Sequence, residues 1–158
     1  MQVDSNTTQE ILSLIPQKPP FRFVDEIISL HEKHILSAYT FKNDEYFYRG
    51  HFPENPITPG VILIETMAQS GVVAQGLFLL LKEGLAKEKI AHITTLFTLA
   101  DQVEFFEVVR PGQRVLVKGE IVFFRKGTLR SNVAIYHEND TLICRGTLTG
   151  SGIKNYEN

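Results

Sequence analysis

The chain has 158 residues, 43% of them hydrophobic, which is enough for one domain with a real core and too few for two ordinary ones. A formal net charge of -2 and a pI of about 6.2 supply no global positive field for nucleic acid or an anionic membrane, so an acidic partner has to be met by a local patch. The single cysteine, Cys144, excludes an intrachain disulfide and fits a reducing compartment, with the cytoplasm as default because residues 1–9 lack the basic-then-apolar pattern of a targeting segment.

In chain order, Thr7 to Glu10 reads as a capping box ahead of Ile11, Leu12, Leu14 and Ile15, predicting a short helix stopped by Pro16. Pro19 and Pro20 impose an extended entry. Residues 21–28 and 35–41 are rich in β-branched and aromatic side chains and predict a hairpin turning at His31-Glu32-Lys33. Residues 46–59, with three prolines and no apolar period, predict an ordered surface loop. From about 59 to 82 nearly every position is apolar or small, which means a helix buried at the centre of a fold or one that spans a membrane. Glu65, Gln69 and Gln75 interrupt that run, and a carboxylate at mid-bilayer costs on the order of 3 kcal/mol, so the buried central helix is the reading adopted and no membrane span is expected.

Residues 82–89 read as a polar linker. Four strands are expected at 94–106, 114–124, 129–137 and 141–149, separated by the turn pairs Pro111-Gly112, Lys126-Gly127 and Asn139-Asp140. Val115, Val117, Gly119, Ile121 and Phe123 alternate with more polar residues, as a half-buried strand requires. The sum is a single α+β domain over 1–158, an antiparallel sheet wrapped on one long helix, with a loose tail from 154 to 158.

Chemistry concentrates in Gly50-His51-Phe52-Pro53, Pro56, Pro59-Gly60-Val61, Glu65 and Gln69. Pro59 suits a helix start, and Gly60 lets a ligand oxygen approach the first backbone amides, where the helix dipole favours negative charge. Glu65 and Gln69 share a helix face one turn apart, so the amide can hold the carboxyl. Burial without a nearby cation raises a glutamate's pKa, and an imidazole titrates near neutrality, so the pair offers an acid and a base. With an oxyanion site beside them, these groups can eliminate water α,β to a carbonyl. A lone loop histidine is by default more often structural, and a glutamate in an apolar helix can instead be paired with an arginine from elsewhere.

The run Gly50-His51-Phe52-Pro53-x-x-Pro56-x-x-Pro59-Gly60-Val61-x-x-x-Glu65-x-Met67-Ala68-Gln69 resembles the signature of the 3-hydroxyacyl-acyl-carrier-protein dehydratases of dissociated fatty-acid synthesis. Residues 20–25 resemble that family's opening strand and residues 110–113 a later turn, so the similarity covers most of 11–149. The resemblance implies the hotdog fold and a homodimer with shared active sites, His51 of one subunit working with Glu65 of the other, and a trimer of dimers as a larger form. It implies that His51 takes the α proton, Glu65 acts on the hydroxyl with Gln69 orienting it, and the Gly60 N–H binds the thioester carbonyl. Acyl carrier protein is the implied partner, bearing a 3-hydroxyacyl-phosphopantetheine, and no cofactor is implied. Glutamate at 65 resembles the dehydratase-only type rather than the enzymes that also isomerise the double bond. Gln17-Lys18 departs from the histidine and arginine that the family often has there.

His31 and His34 form an H-x-x-H pair without a third ligand in sight, so no metal site is expected. Ser70-Gly71 lacks the flanks of a hydrolase elbow, and no Gly-rich phosphate loop occurs. Lys18, Arg22, Arg110, Arg125, Lys126 and Arg130 are the cations available to an acidic carrier. Two rival readings share the fold: an acyl thioesterase, and a non-catalytic acyl-thioester-binding module, for which no DNA-binding segment fits in the first twenty residues.

Overall fold

The computed structural model describes residues 4–154. Helix α1 (Ser5–Leu14) opens the chain, and its N-cap is Asp4, whose carboxylate accepts the Thr7 N–H at 2.8 Å. The cap therefore lies three residues before the Thr7 box expected from sequence. Ile11, Leu12 and Ile15 are buried beneath it.

Six antiparallel strands form one sheet in the order β1-β2-β4-β5-β6-β3. β1 (Glu26–Leu30) and β2 (His34–Thr40) make the first hairpin. Residues 21–25, expected in the first strand, run into it as extended coil after the prolines. β3 (Ile93–Phe105), β4 (Arg114–Arg125), β5 (Thr128–His137) and β6 (Leu142–Lys154) follow. The expected turn pairs join them: Gly112, Lys126, Gly127 and Asp140 all have positive φ, as tight turns require. β6 runs five residues past the predicted 149 and takes in Lys154. The remainder of the tail expectation, 155–158, lies outside the described residues.

β2 and β3 lie near opposite sides of the sheet, so the chain has to be carried across its concave face. The central helix does this, from Gly60 to Lys82, as α2 (Gly60–Ala68), a π-helical turn (Gln69–Ala74) and α3 (Gln75–Lys82). It is 23 residues long and apolar enough to cross a membrane by length and composition, yet 78% of its most apolar window is buried inside the protein. This is the expected hotdog arrangement. The polar linker expected at 82–89 holds a short helix, α4 (Lys87–Ile90), whose Ile90 is buried.

Helix and sheet meet at glycines. A Cβ on Gly71 would lie 2.4 Å from Val133 Cγ2, and one on Gly119 would lie 3.0 Å from the Gly71 Cα. Ser37 donates to Ser70 across the same contact at 2.7 Å. The backbone thus touches backbone where the π turn crosses β4, a place no larger residue fits.

The expected alternation along β4 holds for Val115, Val117 and Gly119, which are buried, and for Ile121, which packs against the core, and then fails. A bulge between Ile121 and Phe123 shifts the register, so Phe123 faces solvent and Phe124 packs against the core instead. One extra residue in a strand exchanges its faces.

Candidate active site

The loop 46–59 is ordered by its own polar contacts. A 3-10 turn (Tyr46–Arg49) leads in, and the His51 N–H donates to Phe47 O at 2.9 Å. Ile57 N donates back to His51 O at 3.0 Å, Thr58 N donates to Val109 O at 2.8 Å, and the Tyr48 and Thr58 hydroxyls lie 2.7 Å apart. His51 Nδ1 lies 2.8 Å from Ile57 O. A carbonyl only accepts, so the proton sits on Nδ1 and the Nε2 lone pair is the one left to act as a base. The ring stacks on Phe52 at 4.2 Å.

Pro59 precedes α2, and its carbonyl accepts from Ile62 and Leu63. The Gly60 and Val61 amides, ahead of that first turn, therefore point out of the helix end. Gly60 has a neighbour the sequence did not reveal: a Cβ there would come within 3.1 Å of the Phe105 ring. The ring fills the direction a side chain would take at Gly60.

Glu65 and Gln69 meet as their spacing requires, Gln69 Nε2 donating to Glu65 Oε1 at 2.8 Å. The fully buried Gln69 amide also donates to Phe21 O at 2.9 Å and accepts the Phe23 N–H at 2.7 Å, so it fastens the segment ahead of β1 to the helix. Burial raises the Glu65 carboxyl above its ordinary pKa, and the Gln69 hydrogen bond partly opposes that. No arginine pairs with Glu65 among the described residues.

Glu65 opens into an apolar cavity of about 230 Å³ between the central helix and the sheet, with Phe21, Val72, Leu77, Phe97 and Phe124 among its walls. His51, Gly60 and Gln69 do not line it. Within one chain the acid and the base of the sequence reading are therefore not gathered around a common space. The cavity walls on β3 and β4 were not foreseen, because strand periodicity tells which face is apolar and not where it stays unfilled.

The remaining candidates have ordinary structural roles. Cys144 is buried, with its thiol pushed up to about 12 by burial. His31 and His34 stack at 4.8 Å in the β1–β2 turn, and no group of three or more metal-binding side chains occurs among the described residues. Four of the six cations have partners within the chain: Arg22 bonds Leu12 O, Lys18 bonds Ile15 O, Arg110 bonds Asn55, and Arg130 pairs with Asp101.

The fold, a sheet around one helix, has counterparts among known proteins. The chain belongs to the FabA-like family, whose domain matches residues 15–146. It is 35% identical over 140 residues to the 3-hydroxyacyl-[acyl-carrier-protein] dehydratase FabZ of Caldicellulosiruptor bescii, covering 88% of this chain and 93% of that one. The protein of the same description from Chloroflexus aggregans is 37% identical over 146 residues, covering 89% and 91%. Among solved structures, the dehydratase heterocomplex ApeI:P from Xenorhabdus doucetiae superposes with a TM-score of 0.74 at 14% identity, covering 93% of this chain and 91% of that one.

Proposed function

We propose that the protein is a 3-hydroxyacyl-[acyl-carrier-protein] dehydratase of fatty-acid or related lipid biosynthesis, a cytoplasmic homodimer that converts a (3R)-3-hydroxyacyl thioester to the trans-2-enoyl thioester. The observation that carries this reading is Glu65: a carboxyl with a raised pKa, without an ion-pair partner among the described residues, held by Gln69 in the wall of an apolar cavity. Burial makes such a carboxyl hold its proton more tightly than an exposed one, which suits the role of proton donor.

In this mechanism His51 Nε2 removes the α proton, and the electron pair passes onto the thioester oxygen, held by the Gly60 amide at the helix start. The enolate then re-forms its carbonyl as the β carbon–oxygen bond breaks. Glu65 gives its proton to the departing hydroxyl, so water leaves, and transfer of the proton from the imidazolium to the carboxylate restores both groups. The acyl carrier protein presents the substrate on its pantetheine arm.

His51 lies outside the Glu65 cavity of its own chain, which supports the assignment of acid and base to different subunits. β3 supports it too: Leu96, Phe97, Leu99 and Phe105 are each 44–48% exposed on an edge strand, and Phe52, Val61 and Val108 are exposed as well. Apolar side chains along a strand with one free edge are the mark of an edge meant to be covered.

Purified protein given a 3-hydroxyacyl carrier thioester is expected to generate the absorbance of the conjugated enoyl product. His51→Ala is expected to reduce kcat/KM by roughly 10²–10⁴ with the fold intact. Equal rates for His51→Ala and the parent would overturn the reading, and release of free thiol without enoyl product would replace it with a thioesterase.

A further inference from the structure

Five glycines of the helix–sheet layer are forced by packing: an added Cβ on Gly71, Gly119, Gly146, Gly150 or Gly152 would come within 2.4–3.0 Å of a neighbour. Gly76 is different. A Cβ there would meet only Leu129 Cδ2, at an ordinary 3.7 Å. Within a helix a glycine costs about 1 kcal/mol against alanine, and here no clash, turn or positive φ accounts for it. Gly76 does line the cavity.

Glu65, Ala68, Val72, Gly76 and Leu80 all line that space, spaced three or four residues apart along one helix face. At 1.5 Å per residue, Gly76 stands roughly 16 Å along the helix from Glu65 and Leu80 roughly 22 Å. The cavity is thus a trough beside the helix, with the acid at one end and Phe124, Leu129 and the β4–β5 turn at the other. A chain attached at the reacting carbon and lying in the trough passes Gly76 only if it is long.

We infer that Gly76 sets the acyl-length range of the enzyme: the missing side chain keeps the distal trough open to the far end of a long linear acyl chain. This rests on the dehydratase reading. The test measures kcat/KM for butyryl-, octanoyl-, dodecanoyl- and hexadecanoyl-length 3-hydroxyacyl carrier thioesters with the parent, Gly76→Ala and Gly76→Leu, alongside Tm.

The parent is expected to turn over the longest substrate at least as well as the shortest. Gly76→Leu is expected to lower the hexadecanoyl-to-butyryl ratio of kcat/KM by roughly tenfold or more, the effect of about two buried methylenes left without a site, and Gly76→Ala by less. Gly76→Ala fits the available space and keeps the test open if the leucine variant does not fold. A ratio unchanged in the folded variants, or a uniform loss at every length, overturns the inference while leaving the dehydratase reading intact. No turnover of any thioester by the parent removes both.

Discussion

His51 and Glu65 are held by different kinds of contact, and each kind has a different visibility in sequence. Glu65 meets Gln69 because residues four apart share a helix face, so the 2.8 Å bond could be read from spacing alone. The bond from His51 Nδ1 to Ile57 O depends on the path of a proline-rich loop, and no periodicity encodes that path. The Phe21 and Phe23 contacts of Gln69 were hidden for the same reason, being 48 and 46 residues away along the chain. The raised pKa of Glu65 has a consequence for stability. The folded carboxyl holds its proton more tightly than the unfolded one, so stability is fully present below the ordinary value of 4.5 and declines as pH rises through the folded value. Glu65→Gln, which keeps an oxygen for the Gln69 amide, is therefore expected to melt higher than the parent at pH 7 while losing turnover. The gain should vanish below pH 4.5; thermal melts across this range check it, and a gain constant with pH would contradict the argument.

Among the elements, the central helix, the turn pairs and the four later strands were legible, because period, length and turn chemistry are local properties. Two departures set by packing were not. The bulge in β4 exchanges Phe123 for Phe124 on the inner face, and the π turn over Gln69–Ala74 brings the helix backbone down onto the sheet at Gly71. Both arise where tertiary packing overrides a regular period. Gly71→Ala should reveal how tight this contact is. Its Cβ would sit 2.4 Å from Val133 Cγ2 and 3.0 Å from Cγ1. Despite the better helix propensity of alanine, a loss of about 1–3 kcal/mol is expected, a fall of roughly 3–10 °C in Tm. Combined with Val133→Ala, which frees that space, the loss should be clearly smaller than the two single effects added together. Additive effects would mean that Gly71 is required for another reason.

For the whole molecule, a sheet wrapped on one helix followed from the order of the predicted elements, a hairpin, a long apolar helix, then four strands, and the family resemblance implied that this is the hotdog fold. Which strand lies at an edge did not follow, because β3 carries as many apolar residues as a buried strand. Its long row of half-exposed side chains is the surface that the proposed second copy would cover. Leu99→Glu, on β3 but outside the cavity walls, is expected to shift the protein from dimer to monomer in sedimentation analysis and to abolish turnover with the chain still folded. A fully active monomer would show that each copy carries a complete site. The two rims of the sheet are unequal: β1 has five residues with α1 close by, while β3 has thirteen. A second copy laid antiparallel along β3 would use the long rim of both molecules at once and leave only two short ones. Growth by strand addition would then end after a single step, which separates a closed pair from the start of a fibre, and any larger particle would have to be built through another surface.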